Sequence, residues 1–321
     1  MMKPIHINGN DEFAKKAKEE GWAGNGTKHN PYIIENLEID GEGLSNCIWI
    51  ENTDMYFVIR NCRMFSPKGY SFKSNGIYLN KVKNGIIIDN ISIEQDKGII
   101  LVDAKNNILT NNTCIKNEDY SIALYESSNN MLTNNLCKES VFSGILVKCS
   151  SNNILTNNTS IENKKHGILL EESSNNILTN NTCIKNKHCG IQVQISSNNI
   201  LTNNTFKGNN YYGIELVGSS NNLITNNACI SNNIDGINLS GSSNNIITNN
   251  SCIANNVYGI YLFLMSQNNI ITNNTFTLNK GYGIIIDKDP SNNIVLNNIY
   301  SYKNRIRGKM TLVRKLIKIK R

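Results

Sequence analysis

Three acidic residues in the second half of the chain have the side-chain type that cleavage of glycosidic bonds requires. Glycosidases use a pair of carboxyl groups for this reaction. The two groups lie ~5–5.5 Å apart in enzymes that retain the anomeric configuration and ~6.5–9.5 Å apart in enzymes that invert it. In the 23-residue repeat described below, Glu171 and Glu215 lie two repeats apart, and their positions within the repeat differ by two residues. Standard sheet spacings then separate them by about 12 Å. Asp235 lies near Glu215 but precedes its strand, so all three are weak catalytic candidates.

A second group of residues has the chemistry of metal ligands. His166, His188 and Cys189 fall at corresponding places in adjacent repeats, and His166 and Cys189 share one column. Imidazole and thiolate are the usual ligands of Zn²⁺, which makes a site of two or three ligands geometrically conceivable. The sequence places no evident fourth ligand beside them. We therefore expect no metal and no cofactor.

The elements that must position these residues come from a regular repeat. Asn-Asn pairs recur every 23 residues and then twice after 24, beginning at Asn106, Asn129, Asn152, Asn175, Asn198, Asn221, Asn244, Asn268 and Asn292. The phrase is rich in Asn, Ser, Thr, Ile and Gly, which are poor helix formers, and it lacks the spaced leucines of a leucine-rich repeat. The prediction is an all-β protein: one right-handed parallel β-helix of about eleven coils, with a short N-terminal capping helix.

Each coil can be divided into three short strands and their turns. A strand of the type Ile-Leu-Thr is followed by an Asn turn, because Asn tolerates the left-handed conformation. A strand of the type Thr-Cys-Ile, a second Asn turn and a strand of the type Gly-Ile-x-Leu complete the coil. Stacked coils lie ~4.8 Å apart, so like residues form columns, and we expect Asn side chains to bond along them.

Alternation along the strands predicts which columns form the core. One contains Leu109, Leu132, Leu155, Leu178 and Leu201, and the next contains Cys114, Cys137, Cys183, Phe206, Cys229, Cys252 and Phe276. The third contains Ile122, Ile145, Ile168, Ile191 and Ile214, with Leu124, Val147, Leu170, Val193 and Leu216. Five of the nine cysteines share one column. They are predicted to be buried apolar fillers and not disulfides.

The outward side of the Gly-Ile-x-Leu strands varies from coil to coil, as expected where a repeat protein places specificity. The predicted ligand-binding residues on it are Tyr125, Lys148, Gln192, Gln194, Glu215, Asn238 and Tyr261. Aromatic rings and amides suit the apolar faces and hydroxyl rims of sugars. Tyrosines that merely cover turns remain the alternative.

A third surface is nearly invariant. It consists of two columns, in which each threonine stands two residues after a large apolar residue. The threonines are Thr110, Thr133, Thr156, Thr179, Thr202, Thr225, Thr248 and Thr272, and the apolar residues are Ile108, Met131, Ile154, Ile177, Ile200, Leu223, Ile246 and Ile270. If the leucine between each pair points inward, both columns face out as an apolar stripe that could drive self-association. A shift of one residue would bury the stripe instead.

The two ends of the chain differ from the repeat. Residues 1–32 are predicted to be a cap whose helix has Asn10 as its N-cap, residues 33–302 the β-helix, and residues 303–321 a basic tail. That tail carries nine Lys or Arg and no acid, so the rest of the +7 chain has a net charge near −2. We expect no nucleic-acid binding, no membrane span and, from the N-terminal residues, no export signal.

The stretch from Gly24 to Gly41, followed by coils of the pattern NNxxTNNTxxxNxxxGIxLxxSS, resembles the right-handed parallel β-helix repeat proteins. These are grouped with NosD-type periplasmic copper-binding proteins and with carbohydrate-binding and sugar-hydrolase β-helices of the pectin-lyase-like type, and are frequent on archaeal surfaces. The resemblance covers roughly Pro4 to Tyr302. It implies a surface or periplasm-like location, although the chain lacks a clustered Met/His array for copper.

The favoured interpretation is a non-catalytic scaffold that binds an extended ligand, a polysaccharide or other glycan, on the Gly-Ile-x-Leu face. A polysaccharide hydrolase or lyase using Glu171, Glu215 or Asp235 is one alternative. A structural protein that assembles through the Ile/Thr stripe is another.

Overall fold

The chain folds into a parallel β-solenoid, and the residues that the structure describes include one short helix. The computed structural model describes residues 2–41, 46–65, 74–287, 292–301, 304 and 306–307. The chain divides into two compact units, Met1–Thr159 and Ser160–Arg321. In both units each coil adds one strand to each of three parallel sheets, and the chain has about eleven turns in all. We call the Gly-Ile-x-Leu strands sheet 1, the Ile-Leu-Thr strands sheet 2 and the Thr-Cys-Ile strands sheet 3.

The first unit contains the helix Asn10–Glu20. Its sheet 1 strands are Ile5–Asn8, Ile48–Thr53, Ile77–Val82, Ile99–Val102, Ile122–Tyr125 and Ile145–Lys148. Its sheet 2 strands are Tyr32–Glu35, Phe57–Arg60, Gly85–Ile88, Ile108–Thr110, Met131–Thr133 and Ile154–Thr156. Its sheet 3 strands are Glu38–Asp40, Arg63–Phe65, Ile91–Ile93, Thr113–Ile115 and Leu136–Lys138. The strand Thr159–Ile161 contains the point at which the chain divides.

The second unit repeats the same pattern. Its sheet 1 strands are Ile168–Glu171, Ile191–Gln194, Ile214–Val217, Ile237–Ser240, Ile260–Phe263, Ile284–Ile286 and Ile306–Arg307. Its sheet 2 strands are Ile177–Thr179, Ile200–Thr202, Leu223–Thr225, Ile246–Thr248, Ile270–Thr272 and Ile294–Leu296. Its sheet 3 strands are Thr182–Ile184, Thr205–Lys207, Ala228–Ile230, Ser251–Ile253, Thr275–Thr277 and Ile299–Tyr300.

The core consists of the columns that alternation predicted. Leu178, Leu201 and the corresponding leucines are fully buried, as are the Cys/Phe column and both inward columns of sheet 1. All nine cysteines are free thiols, and eight of them are buried. Burial raises the pKa of the Cys137 thiol to about 12, so these side chains pack as small apolar groups.

The two asparagines of each pair have different structural roles. The first takes the left-handed conformation at the turn, as Asn198 does with φ 58°. The second is buried and joins a column in which each side chain bonds the next, which we call an Asn ladder. Asn199 Nδ2 donates to Asn222 Oδ1 at 3.1 Å, and Asn222 Nδ2 donates to Asn245 Oδ1 at 3.1 Å. The ladders satisfy turn carbonyls and amides that the sheets leave unpaired.

The helix of the first unit begins differently from the prediction. Asn10 was expected to be its N-cap, but Gly9 occupies that position with φ 88° and ψ 169°, a conformation open to glycine. The Asn10 side chain instead accepts a hydrogen bond from Thr53 Oγ1 at 2.6 Å. The helix buries Phe13 and Ala17, and the Phe13 ring stacks on Tyr32 with 4.8 Å between centroids. Most of the basic tail lies outside the described residues.

Candidate functional site

The outward face of sheet 1 in the second unit carries most of the predicted ligand-binding residues. Parallel register places Gln192, Glu215, Asn238 and Tyr261 in one row across four successive strands. Gln192, Glu215 and Tyr261 are half-buried, as is Gln194, two residues further along its strand. These half-buried side chains therefore present polar and aromatic groups at the surface of the sheet.

Asn238 differs from its neighbours in this row, because only 1 % of it is exposed. Its Nδ2 donates to Asp235 Oδ2 at 3.2 Å, and Asp235 Oδ1 accepts the backbone N–H of Tyr258 at 2.9 Å. Burial raises the pKa of Asp235 to about 6 against the opposing effect of these two hydrogen bonds. Both carboxylate oxygens of Asp235 are thus engaged within the protein.

The two other acids are held at the separation expected from the repeat. Glu171 pairs with Gln194 on the next strand, whereas Glu215 pairs with Gln192, two residues earlier on that same strand. Glu171 and Glu215 are consequently two strands and two residues apart, or about 12 Å. This backbone separation is greater than the ~9.5 Å that separates the two carboxyl groups of an inverting glycosidase.

The turn before sheet 1 brings His166, His188 and Cys189 together, as their shared column suggested. Their ligand atoms all lie within 4.8 Å of one another. His188 Nδ1 is 3.2 Å from Cys189 Sγ, and the two imidazole rings meet edge to face with 4.5 Å between centroids. The Cys189 thiol donates to Glu215 Oε2 at 3.2 Å. Sequence reasoning did not connect Glu215 to this group.

The electrostatics of this turn keep the two imidazoles neutral and the thiol protonated. Burial, with smaller effects from His188 and Lys165, lowers the pKa of His166 to about 3. Burial also lowers the pKa of His188, which the Glu215 carboxylate partly offsets. Burial and the nearby Glu215 raise the pKa of Cys189 well above its usual range. A protonated thiol is a poor nucleophile.

An aromatic cluster lies beside the polar row. Tyr261 stacks on Phe263 with 5.0 Å between ring centroids, and Tyr258 contacts the Tyr261 ring edge-on at 5.6 Å. Tyr258 also lies 6.4 Å from Tyr282, whose ring face is covered by the Arg307 guanidinium at 5.7 Å. The tyrosines therefore contact one another across successive coils.

The first unit carries its own polar patch on sheet 1. Tyr125 and Lys148 are partners in register, and both are half-buried. Nearby, Lys97 Nζ bridges Asp96 at 2.8 Å and Asp119 at 2.9 Å. Burial lowers the pKa of Lys97, but the two carboxylates outweigh it and the pKa is raised. We did not identify this triad from the sequence, although Asp96 and Asp119 are one 23-residue period apart.

The Ile/Thr columns of sheet 2 face outward. Met131, Ile154, Ile177, Ile246 and Ile270 are between 36 % and 43 % exposed. The stripe is thus on the surface in both units, and its use in self-association stays a prediction.

The fold is matched by a known sequence family. The profile of the family described as "Right handed beta helix region" matches residues 22–182 and 143–300. The chain belongs to the right-handed β-helix family. No curated protein sequence matches this right-handed β-helix chain. Its described residues contain no helix with the length and hydrophobicity that crossing a membrane requires.

Solved structures share the right-handed β-helix over nearly the whole chain. The A-module of the Azotobacter vinelandii mannuronan C-5 epimerase AlgE6 matches with a TM-score of 0.76 at 13 % identity, covering 94 % of this chain and 90 % of that one. The catalytic unit of a Streptomyces thermodiastaticus GH87 α-1,3-glucanase matches with a TM-score of 0.70 at 9 % identity, covering 94 % and 68 %. The periplasmic alginate epimerase AlgG matches with a TM-score of 0.55 at 17 % identity, covering 96 % and 84 %. At these identities the likeness concerns the fold.

Proposed function

We propose that the protein is a non-catalytic β-helix scaffold that binds an extended carbohydrate on the outward face of sheet 1. The observation that carries the proposal is the continuity of the aromatic cluster around Tyr261 and Phe263 with the polar row of Gln192 and Glu215. Aromatic faces bind the apolar C–H faces of sugar rings, while amide and carboxylate groups accept or donate hydrogen bonds to hydroxyls.

The comparisons support a carbohydrate as the ligand class. Three structures of similar fold are named as a mannuronan epimerase, an alginate epimerase and an α-1,3-glucanase, and each name refers to a carbohydrate. A parallel sheet also suits a polymer, because a chain laid across the strands meets a new side chain every ~4.8 Å.

The arrangement of the acids favours binding over hydrolysis. The backbone positions of Glu171 and Glu215 are about 12 Å apart, whereas the carboxyl groups of two-carboxylate glycosidases lie within ~9.5 Å of each other. Asp235 is buried and uses both oxygens within the protein.

The test is affinity electrophoresis of the purified chain against neutral and acidic polysaccharides, with mass spectrometry of any released product. We expect retardation without product, and weaker retardation for Tyr261→Ala and Phe263→Ala. Ile177→Ala, on the exposed stripe of sheet 2, is the matched control and should bind like the wild type. New reducing or unsaturated ends that disappear in Glu215→Gln would instead identify an enzyme. Retardation by none of the polysaccharides would overturn the proposal.

A further inference from the structure

Four potential metal ligands converge at the turn before sheet 1 in the second unit. The ligand atoms of His166, His188 and Cys189 lie within 4.8 Å of one another. The Glu215 carboxylate, supplied by the following coil, reaches to 3.2 Å from the Cys189 thiol. Two imidazoles, one thiol and one carboxylate are a complete set of four donors.

Two of the spacings between these ligand atoms are close to those of tetrahedral coordination. With bonds of ~2.0–2.1 Å to nitrogen and ~2.3 Å to sulfur, neighbouring ligand atoms in a tetrahedral Zn²⁺ site are roughly 3.3–3.6 Å apart. The distances from Cys189 Sγ to His188 Nδ1 and to Glu215 Oε2 are both 3.2 Å. The remaining separations within the group of His166, His188 and Cys189 extend up to 4.8 Å, so a bound metal would draw these side chains closer together.

We propose that His166, His188, Cys189 and Glu215 bind one Zn²⁺ ion. On coordination the S–H bond of Cys189 breaks, its proton passes to solvent, and the sulfur bonds the metal as a thiolate. One thiolate and one carboxylate neutralise the two charges of the ion, which suits a site where Cys189 is fully buried and His166 is 7 % exposed. Imidazole and thiolate ligands select Zn²⁺ over Mg²⁺ and Ca²⁺, which prefer oxygen.

The surroundings hold these side chains in place, as the partners of metal ligands commonly do. Gln192 Nε2 donates to Glu215 Oε2 at 2.7 Å and fixes the carboxylate that faces the thiol. The Tyr211 ring stacks on His188 with 4.1 Å between centroids and limits rotation of the imidazole. In the other coils, the two residues before the glycine that precedes the sheet 1 strand include no His or Cys. The combination is thus particular to this place in the repeat.

The experiment uses the full chain after treatment with a chelator, with Co²⁺ as the spectroscopic substitute for Zn²⁺. We expect one equivalent of Co²⁺ to produce a thiolate-to-metal charge-transfer band and the d–d bands of a tetrahedral ion, both displaced by one equivalent of Zn²⁺. Cys189→Ser should remove the charge-transfer band. Cys149→Ser, at an exposed thiol, and Cys229→Ala, in the core column, are the matched controls and should retain it.

Further variants separate direct ligands from residues that position them. His188→Gln and Glu215→Gln should weaken Zn²⁺ binding in calorimetry, with the charge-transfer band kept in Glu215→Gln. Gln192→Ala should lower the affinity by roughly 10–100-fold, as for other residues that orient a ligand. Circular dichroism checks that each variant folds. His188→Gln should disturb the core packing least, because His188 is only half-buried.

Absence of one-to-one binding at micromolar metal would overturn the proposal, and so would binding that is unchanged in both Cys189→Ser and His188→Gln. Every measurement is made without carbohydrate. A failure of the metal site therefore leaves the proposed glycan surface standing, and the reverse also holds.

Discussion

The side-chain amide of Asn238 donates to the carboxylate of Asp235 across 3.2 Å, and each residue is only 1 % exposed. Within the described residues, the Asn238 Oδ1 atom is buried and accepts no hydrogen bond. An ionised acid and an unsatisfied carbonyl oxygen thus lie side by side in the second unit, and both cost stability.

Replacement of Asp235 by Asn should stabilise the protein near pH 7. The new Nδ2 can donate to Asn238 Oδ1 after the Asn238 amide turns over, while the new Oδ1 still accepts from Tyr258. Because the folded pKa of about 6 exceeds the ordinary value of 3.8, the wild type loses stability as pH rises through that interval. The full penalty above pH 6 is roughly 2–3 kcal/mol.

Urea denaturation from pH 3.5 to 8 measures this effect. We expect Asp235→Asn and the wild type to differ most above pH 6 and to approach each other below pH 4. A wild-type stability that rises between pH 4 and 6, with the variant rising less, would contradict the assignment of a raised pKa to Asp235.

Removal of one interior asparagine should destabilise the coil stack severely. Asn209 Oδ1 accepts from the backbone N–H and from Nδ2 of Asn186, both at 3.0 Å, and Asn209 Nδ2 donates to Asn232 Oδ1 at 3.0 Å. Asn209→Ala leaves these buried groups unpaired and should cost roughly 2–5 kcal/mol. The matched control is Asn210→Ala, at the exposed neighbour, with an expected change within about 0.5 kcal/mol. Equal losses in chemical denaturation would show that the ladder is not the source of stability.

The glycine before most sheet 1 strands allows close packing of successive coils. A Cβ at Gly213 would lie 2.6 Å from the carbonyl oxygen of Gly236 and 2.8 Å from Cys229 Sγ. Gly213→Ala should therefore cost roughly 3 kcal/mol. Gly208→Ala meets no atom closer than 3.8 Å and takes a positive φ of the kind that Ala254 adopts two coils later, so its expected cost is about 1 kcal/mol or less. Thermal unfolding of the two variants should give clearly different midpoints.

Replacement of the turn residue Ile195 should stabilise the protein. Ile195 has φ 48° and is 60 % exposed, in a column where the next two coils have Gly218 and Gly241. A β-branched residue is strained in this conformation by roughly 1–2 kcal/mol, whereas Asn tolerates it. Ile195→Asn should raise the free energy of unfolding by about 1 kcal/mol, measured by urea denaturation. Ile177→Asn, at a strand position of sheet 2, should give no gain.

The fold could be predicted from the sequence because columns of identical residues determine it. The columns that contain Leu201 and Cys229 repeat with the same 23-residue period. Alternation along each strand then gives the inward direction of these side chains, and the length of the repeat gives the number of coils. The helix start was not predictable in the same way. Asn10 has a favourable N-cap side chain, but Thr53 competes for it and only Gly9 can adopt the backbone conformation required.

The candidate site was predicted in part for the same reason. His166 and Cys189 share a column, so their proximity follows from the period alone. Glu215 joins them by reaching back from a strand to the preceding turn, which depends on side-chain length and rotamer. Asn238 was expected to be exposed on the outward face of sheet 1, but it is buried and donates a hydrogen bond to Asp235, three residues earlier. Alternation along a strand gives the direction of a side chain but does not predict such a contact with the preceding turn.

The Asn ladders have a consequence for how such a chain can change in evolution. Each ladder side chain bonds its counterparts one coil before and one coil after, together with nearby backbone carbonyls. Asn204 bonds Asn181 and Asn227, and its Nδ2 also donates to the Leu178 carbonyl of the preceding coil at 2.9 Å. When a whole 23-residue segment within the second unit is lost or duplicated, the coils that become neighbours still have their ladder asparagines at corresponding positions. The hydrogen bonds along each ladder can therefore form again. An insertion within a coil keeps the ladders only where a turn absorbs the extra residue, as in the 24-residue step from Asn245 to Asn269, across which Asn245 Nδ2 still donates to Asn269 Oδ1 at 3.1 Å. The gene can accordingly lengthen or shorten its product in steps of one coil, and each added coil brings a fresh set of outward side chains on sheet 1.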